Sequence, residues 1–402
     1  MAIEFRACRG DELGAAFAPL WHYFGRSVSD DDVRRLGRIL PADRVYAAWD
    51  EGVAVGGAGA YAFEMSVPGG ASVPTAGVMA VGVLPTHRRR GILTELMRRQ
   101  LGDVHARGEP LAMLYASEGA IYGRYGYGIA SFCGEMQLAR ERARFHAAFE
   151  PRATIRLVGE EEALELFPPI YERVRAQRAG MLSRTREWWE VRRFRPRLLA
   201  TGGENVYAVV ELDGEPQAYA IYHLHWAADH GASATTLEVA EALAASPEAM
   251  REVWTYLFAV DWIETIAADF LPLDHPLFFL VDEPRRMKFT LGEALWVRLV
   301  DVGAALSARS YATAAEVVFD VRDEFCPWNS GRWRLAEGDA ERTDADAELA
   351  LNATELGSVY LGGVTFDQLA GAGRLEELKP GAVARADALF RTPRQPWCPE
   401  LF

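Results

Sequence analysis

Cysteine is scarce in this chain: four residues in 402, Cys8, Cys133, Cys326 and Cys398, far apart and with no C-x-x-C pair. That spacing argues against a disulfide framework or a thiolate zinc site and fits reduced thiols in a cytosolic setting. Basic residues are in deficit, 43 Lys and Arg against 57 Asp and Glu, for a formal net charge of −14. No nucleic-acid partner is expected, because phosphate contacts need clustered cations. Long apolar runs are missing as well. The stretches "WTYLFAVDWI" and "HPLFFLV" are charge-interrupted or short against the ~18 residues of a bilayer span, so no membrane span is expected. The opening "MAIEFRACRGDELG" has no apolar secretion core, which makes a cytoplasmic protein the expectation. Neither a G-x-S-x-G elbow nor a G-x-G-x-x-G nucleotide loop occurs.

What remains is a globular composition, half hydrophobic and a quarter charged, in a chain too long for one ordinary core. The acidic balance serves solubility and is compatible with a cationic small-molecule or amine substrate. Strand-like and helix-like segments alternate, so the expected fold class is α/β (α+β). "DRVYAAWDEGVAVGGAGAYAF" reads as two strands around a turn at Asp50-Glu51-Gly52, and "TAGVMAVGV" as a further buried strand. Ile92, Leu93, Leu96, Met97 and Leu101 recur at helical spacing, "LAMLYA" is a strand, and "SEGAIYG" a short helix with Ser117 as its N-cap. "YGIASFCGEMQLA" reads as one returning strand.

A second region echoes the first. "ELDGEPQAYAIYHLHW" repeats the hairpin with its turn at Asp213-Gly214, and "TTLEVAEALAASPEAMREVWTYL" again runs from strand to helix. No Arg-x-x-Gly stands at that junction, so the region reads as a degenerate second copy. The third region opens with "EALWVRLVDVGAALSARSY", a strand entering a helix, and ends in a helix around "VARADALF". "REWWEVRRF" reads as a core or subunit-contact helix face. His223 and His225 share one strand face with His230 nearby, but no Cys or neighbouring carboxylates complete a ligand set, and no metal is expected.

The densest positive charge is "VGVLPTHRRRG", residues 81–91. A strand ends at Val83, Pro85 stops it, and Gly91 opens a helix whose first N–H groups have no internal partner. This is an anion site before any side chain contributes. Gly91 lets a phosphate approach the backbone, and Arg88, Arg89 and Arg90 can add charge-assisted hydrogen bonds.

Arg88-x-x-Gly91 after a V-x-V strand resembles the pyrophosphate-binding motif of the GCN5-related N-acetyltransferases, the GNAT superfamily, with Leu93 where a small residue is usual. "YASEGAIYGRYGYG", residues 115–128, resembles the later acetyl-CoA motif of the same superfamily. With "LWVRLVDVGAALSARSY" and a final aromatic residue, these stretches resemble the Eis (enhanced intracellular survival) family over nearly the whole chain.

The resemblance implies an acetyl-CoA-binding GNAT domain over 1–150, a GNAT-like domain without the cofactor motif over 151–290, and a sterol carrier protein-like domain over 291–402. It implies acetyl-CoA contacts at Val81, Gly82 and Val83 for the pantetheine arm and at Arg88, Arg89, Arg90, Gly91, Ile92, Leu93 and Thr94 for the pyrophosphate. Ser117 and Glu118 fall beside the acetyl end. Tyr122 matches the general acid, and the carboxylate ending the chain, on Phe402, the general base. The acceptor implied is aminoglycoside-like or polyamine-like. A protein lysine, or a non-enzymatic lipid- or sterol-carrier role, remains as the alternative, and a homohexamer is implied.

Elementary chemistry bears on these roles. Amine acetylation needs a neutral amine, a stabilised oxyanion and a protonated leaving sulfur. A terminal carboxylate titrating near ~3.5 is a weak base unless desolvated or acting through water, so it serves largely to attract and orient the cation. A tyrosine near ~10 facing a thiolate near ~8.5 donates about 2 kcal/mol uphill. Pro393, Pro396 and Pro399 stiffen the tail, and its apolar Trp397, Leu401 and Phe402 lead us to expect that it lodges on the protein.

Overall fold

The computed structural model describes residues 3–194, 203–230 and 232–402. They form two compact units: Met1–Ser131 with Ala294–Pro393 and Glu400–Phe402, and Phe132–Glu293 with Arg394–Pro399.

The first unit begins β1 (Glu4–Ala7), α1 (Leu13–Trp21), α2 (Asp30–Gly37), β2 (Val45–Asp50), β3 (Val53–Ser66), β4 (Ser72–Val83), α3 (Ile92–Ala106), β5 (Leu111–Tyr115), α4 (Gly119–Tyr122) and β6 (Gly128–Ile129). The β2–β3 turn falls where the sequence places it, with Glu51 and Gly52 both at positive φ. In α3 the side chains of Ile92, Leu96, Met97, Leu101 and Val104 are buried, each contributing roughly 1.5–3 kcal/mol. The outer face is held by Glu95, which accepts from Arg98 and Arg99 at 2.8 Å each. A Cβ on Gly57 would lie 2.1 Å from the Ala16 carbonyl oxygen, and one on Gly82 2.8 Å from Leu20 Cα. These two glycines let α1 lie directly on β3 and β4.

The single strand expected over "YGIASFCGEMQLA" is broken in two. β6 ends at Ile129, and the N–H groups of Ala130 and Ser131 both turn to the Leu295 carbonyl, at 2.9 and 3.2 Å. The next strand, β7 (Phe132–Ala139), belongs to the second unit. Residues 132–150, read from the sequence with the first domain, therefore lie in the other unit.

The second unit continues with β8 (Thr154–Val158), α5 (Glu160–Arg175), α6 (Arg186–Trp188), β9 (Val206–Leu212), β10 (Glu215–His225), β11 (Ala228–Asp229), β12 (Ala232–Ser233), β13 (Thr236–Ala244), α7 (Pro247–Ala259), β14 (Thr265–Leu271), α8 (Leu277–Leu280) and β15 (Thr290–Glu293). Its main sheet has the order β15-β7-β14-β13-β10-β9-β8. Asp213 and Gly214, both at positive φ, make the β9–β10 turn, and Ser246 caps α7 by accepting from the Ala249 N–H at 3.1 Å. One core contains Val253, Trp254 and Leu257 of α7 with Ala218, Ala220 and Tyr222 of β10. Another contains Phe167 and Tyr171 of α5 with Tyr219 and Ile221. Trp189 of "REWWEVRRF" lies in this second core.

The remaining elements belong to the first unit: β16 (Leu295–Leu299), α9 (Val302–Ser307), β17 (Val317–Arg322), β18 (Gly331–Ala336), β19 (Asp339–Arg342), β20 (Leu349–Asn352), α10 (Ala353–Val359), α11 (Phe366–Gly371), β21 (Leu375–Glu377) and α12 (Ala382–Phe390). They add a five-stranded sheet, β19-β18-β17-β20-β21. β16, read from the sequence as opening the third region, instead completes the first sheet, β1-β2-β3-β4-β5-β16-β6. Its Arg298 is fully buried and pairs with Asp323 at 2.5 Å.

The tail lodges as expected, with residues 396–400 all buried, and only Leu401 departs from that. In the second unit Trp397 is buried, and its backbone N–H donates to Ala179 O at 2.9 Å. Leu401 is 42% exposed, contrary to the expectation that it is buried. The Phe402 ring, in the first unit, lies 5.4 Å from Phe63, 5.7 Å from Tyr115 and 6.2 Å from Tyr61.

Candidate active site

In the first unit β4 ends at Val83, a short turn follows, and α3 begins at Ile92. Arg88 is extended, Arg89 has φ 62° and Gly91 φ 77°. The left-handed conformation is the reason for glycine at 91, since a Cβ there would meet nothing within 4 Å. Arg89 adopts it at a cost, being neither Gly nor Asn. Gly91 is the N-cap of α3 and offers no side chain to the first-turn N–H groups. Those groups are left to face an anion.

This turn borders a cavity of about 620 Å³. Its wall includes Val81, Gly82, Val83, Arg88, Arg89, Gly91, Ile92, Leu93 and Thr94, and on the other side Ser117, Glu118 and Tyr122. Two residues singled out in the sequence are not in that wall. Arg90 turns to Asp50 instead, with Nη1 3.5 Å from Oδ2. The same carboxylate receives His87 Nε2 at 3.1 Å and is held below its ordinary range by His87 first and by Arg90 as well. Phe402 is the second, its ring in the aromatic group with Tyr61, Phe63 and Tyr115.

The wall also holds residues the motif reading missed: Leu20, Tyr23, Phe24, His87, Ile121, Arg124 and Tyr125. Tyr23 donates its hydroxyl to the Val83 carbonyl at 2.7 Å, and Tyr125 OH is 3.4 Å from Thr94 Oγ1. The aromatic pair "YF" at 23–24 was the available signal, but no local pattern connects it with a strand sixty residues later.

Tyr122 ends α4 and is 6% exposed. Burial pushes its hydroxyl pKa up, while a hydrogen bond with Ser117 pulls it down. The expected Ser117 N-cap is replaced by Glu118, which is extended and makes no side-chain cap. Ser117 is thus left to act on Tyr122 rather than on the helix end. A buried phenol lining the same cavity as the first amides of α3 and the guanidinium groups of Arg88, Arg89 and Arg124 can serve to donate a proton to an anionic carrier held there.

Residues 4–130 and 180–299 each match a family described as an acetyltransferase (GNAT) domain, and residues 302–399 match a sterol carrier protein domain. An uncharacterized N-acetyltransferase of Streptomyces avermitilis is 39% identical over the full length of both chains. The N-acetyltransferase Eis of Mycobacterium tuberculosis is 35% identical, covering 81% of this chain and 80% of that one. The crystal structure of Eis1 from Mycobacterium abscessus superposes with a TM-score of 0.86 at 34% identity, over 99% of this chain and all of that one. A GNAT fold implies acetyl-CoA as co-substrate, and the family models put that fold at the N-terminus and again at the centre. No described helix is long and apolar enough to cross a membrane. The chain belongs to the Eis-like family of GNAT N-acetyltransferases.

Proposed function

We propose that the 620 Å³ cavity takes acetyl-CoA and that the chain transfers its acetyl group to an amine of a cationic acceptor, aminoglycoside-like or polyamine-like. The observation that carries this is the common wall shared by the uncapped start of α3, Arg88, Arg89 and Tyr122. Arg88, Arg89 and the first amides of α3 bind the pyrophosphate. Val81 and Val83 offer strand-edge groups to the pantetheine arm. Tyr122 donates a hydrogen bond to the departing sulfur, which matures into proton transfer as charge develops.

Where Phe402 ends the chain, its carboxylate attracts and orients the ammonium group of the acceptor. The rings of Tyr61, Phe63 and Tyr115 pack on the Phe402 ring and hold the end of the chain in place, which supports that role. The same reading carries a cytoplasmic homohexamer.

Acetyl-CoA consumption against a panel of aminoglycosides, polyamines and lysine peptides tests the acceptor class. Running the panel with a chain extended past Phe402 by a few glycines tests the base: turnover is expected to fall on every cationic acceptor, and equal turnover overturns it. Calorimetry with coenzyme A tests the cavity, and absence of heat removes the whole assignment.

A further inference from the structure

In the second unit, β10 and β13 are antiparallel neighbours with His223 paired to Glu238 and His225 paired to Thr236. The two histidines are two residues apart on one strand and so share a face. Strand pairing delivers Glu238 to that face from fifteen positions further along the chain. No motif connects the three residues, so a search for neighbouring ligands in the sequence finds only the histidines.

The three side chains converge on a point. His225 Nε2 is 2.7 Å from Glu238 Oε2, His223 Nε2 is 3.4 Å from the same oxygen, and the two Nε2 atoms are 3.1 Å apart. Hydrogen bonds fill this triangle only if one proton is shared between two edges or a ring is charged. Each neutral imidazole carries at most one proton on Nε2, and an ionised carboxylate carries none. If both rings donate to Glu238, two N–H groups face each other at 3.1 Å. If one ring donates to the other, its contact with the carboxylate lacks a proton of its own. One cation at the centre satisfies all three edges together.

Two of the three edges, 3.1 and 3.4 Å, are near the spacing of a coordination shell, and the third, 2.7 Å, is tighter. Nitrogen and oxygen ligands at ~2.0–2.1 Å in a tetrahedron about zinc lie roughly 3.3 Å from one another. Two histidines and a glutamate form a ligand set used by zinc, and two histidines with one carboxylate also suit other first-row divalent ions. The His223 side chain is 9% exposed, whereas His225 and Glu238 are 30% and 29% exposed. The inner side of the triangle is closed and the outer side open to a fourth ligand. Among the described residues, it is the group of His, Cys, Asp and Glu whose donor atoms gather within 4.8 Å.

We infer that His223, His225 and Glu238 bind a first-row divalent cation, zinc foremost, with a fourth position open to water. The site lies on two strands of one sheet and is built from residues that the acetyl-transfer chemistry does not use.

The test uses tag-free full-length protein, stripped with chelator and desalted. Zinc uptake is measured by elemental mass spectrometry and calorimetry, and cobalt is then used as a spectroscopic probe. One ion per chain is expected, with cobalt absorption bands whose intensity marks four or five ligands. His225→Gln and Glu238→Gln, checked for native near-ultraviolet circular dichroism, should each weaken binding by more than the roughly 10–100-fold that losing an outer-shell partner costs. His230→Ala, at an exposed histidine nearby in sequence, should leave binding unchanged. Retention of no ion by the wild-type chain overturns the inference, and so does undiminished binding in both Gln variants.

Discussion

Arg184 and Glu241 meet in two parallel hydrogen bonds, Nη1 to Oε1 at 2.9 Å and Nη2 to Oε2 at 2.6 Å, with both side chains closed off from water. Arg193 adds a third bond to the same carboxylate at 2.8 Å, and the Tyr219 hydroxyl a fourth at 2.5 Å. The guanidinium also lies over the rings of Tyr171 and Trp189. A buried charge so fully partnered costs little while intact and much when one partner is removed.

Acid should therefore weaken the chain through Glu241. Burial pushes this carboxyl up, but the Arg184 and Arg193 charges outweigh it and hold it at about 2. An unfolded glutamate titrates near ~4.3, so the unfolded chain takes up the proton first. The stabilisation is complete above that pH and is lost as pH falls toward 2. Glu241→Gln should cost about 3–5 kcal/mol at neutral pH and flatten the loss of stability between pH 5 and 2. Urea denaturation followed by tryptophan fluorescence across that range checks both; parallel curves for the two proteins would refute the assignment.

Arg89 combines charge with strained backbone at φ 62°, and its two contributions can be separated. Arg89→Gly relaxes the turn and removes the guanidinium, whereas Arg89→Ala removes the guanidinium alone. Both should raise the KM for acetyl-CoA about 10- to 100-fold, as expected for a charge-assisted bond worth about 1.5–3 kcal/mol. Only Arg89→Gly should raise thermal stability, by about 1 kcal/mol. Arg90→Ala should change KM least, because Arg90 faces Asp50. Steady-state kinetics that rank Arg90 above Arg89 would reverse the assignment of the cradle.

Much of this cradle was legible in the sequence because it is local. A strand end, a proline, three arginines and a glycine lie within eleven residues, and one turn brings them together. The same holds for the turns at Gly52 and Gly214, where positive φ selects the residue. What sequence could not give is what comes from pairing. Three adjacent arginines look equivalent until the turn sends Arg90 to Asp50 on β2. The strand Leu295–Leu299 reads as the start of a domain, yet its partners are β5 and β6. Glu238 joins two histidines only through the β10–β13 register. Periodicity reports which face of a strand is buried and says nothing of which strand lies beside it.

Tyr122 should lower kcat when its hydroxyl is removed and leave acetyl-CoA binding intact. General acid catalysis typically supplies 10²–10⁴-fold, and Tyr122→Phe should lose about that much in kcat with little change in KM. Tyr125→Phe removes a weak 3.4 Å contact with Thr94 and should cost far less. Because burial pushes the Tyr122 pKa up, deprotonation of this residue should not produce a basic limb in kcat below about pH 10. A Tyr122→Phe enzyme with full kcat would take the acid role away from this residue.

Trp226, Trp262 and Phe279 of the second unit are each 80% exposed. Large aromatic side chains are enriched in the interfaces between copies. Each can bury some 150–250 Å², worth several kcal/mol per site in an interface. If the proposed hexamer forms through these side chains, Trp262→Ser and Phe279→Ser should shift the sedimentation mass toward smaller species without altering the circular dichroism of the chain. Trp262→Ser should also leave the KM for acetyl-CoA near wild type, since the cradle belongs to the first unit. An unchanged mass for both variants would show that these side chains do not carry the assembly.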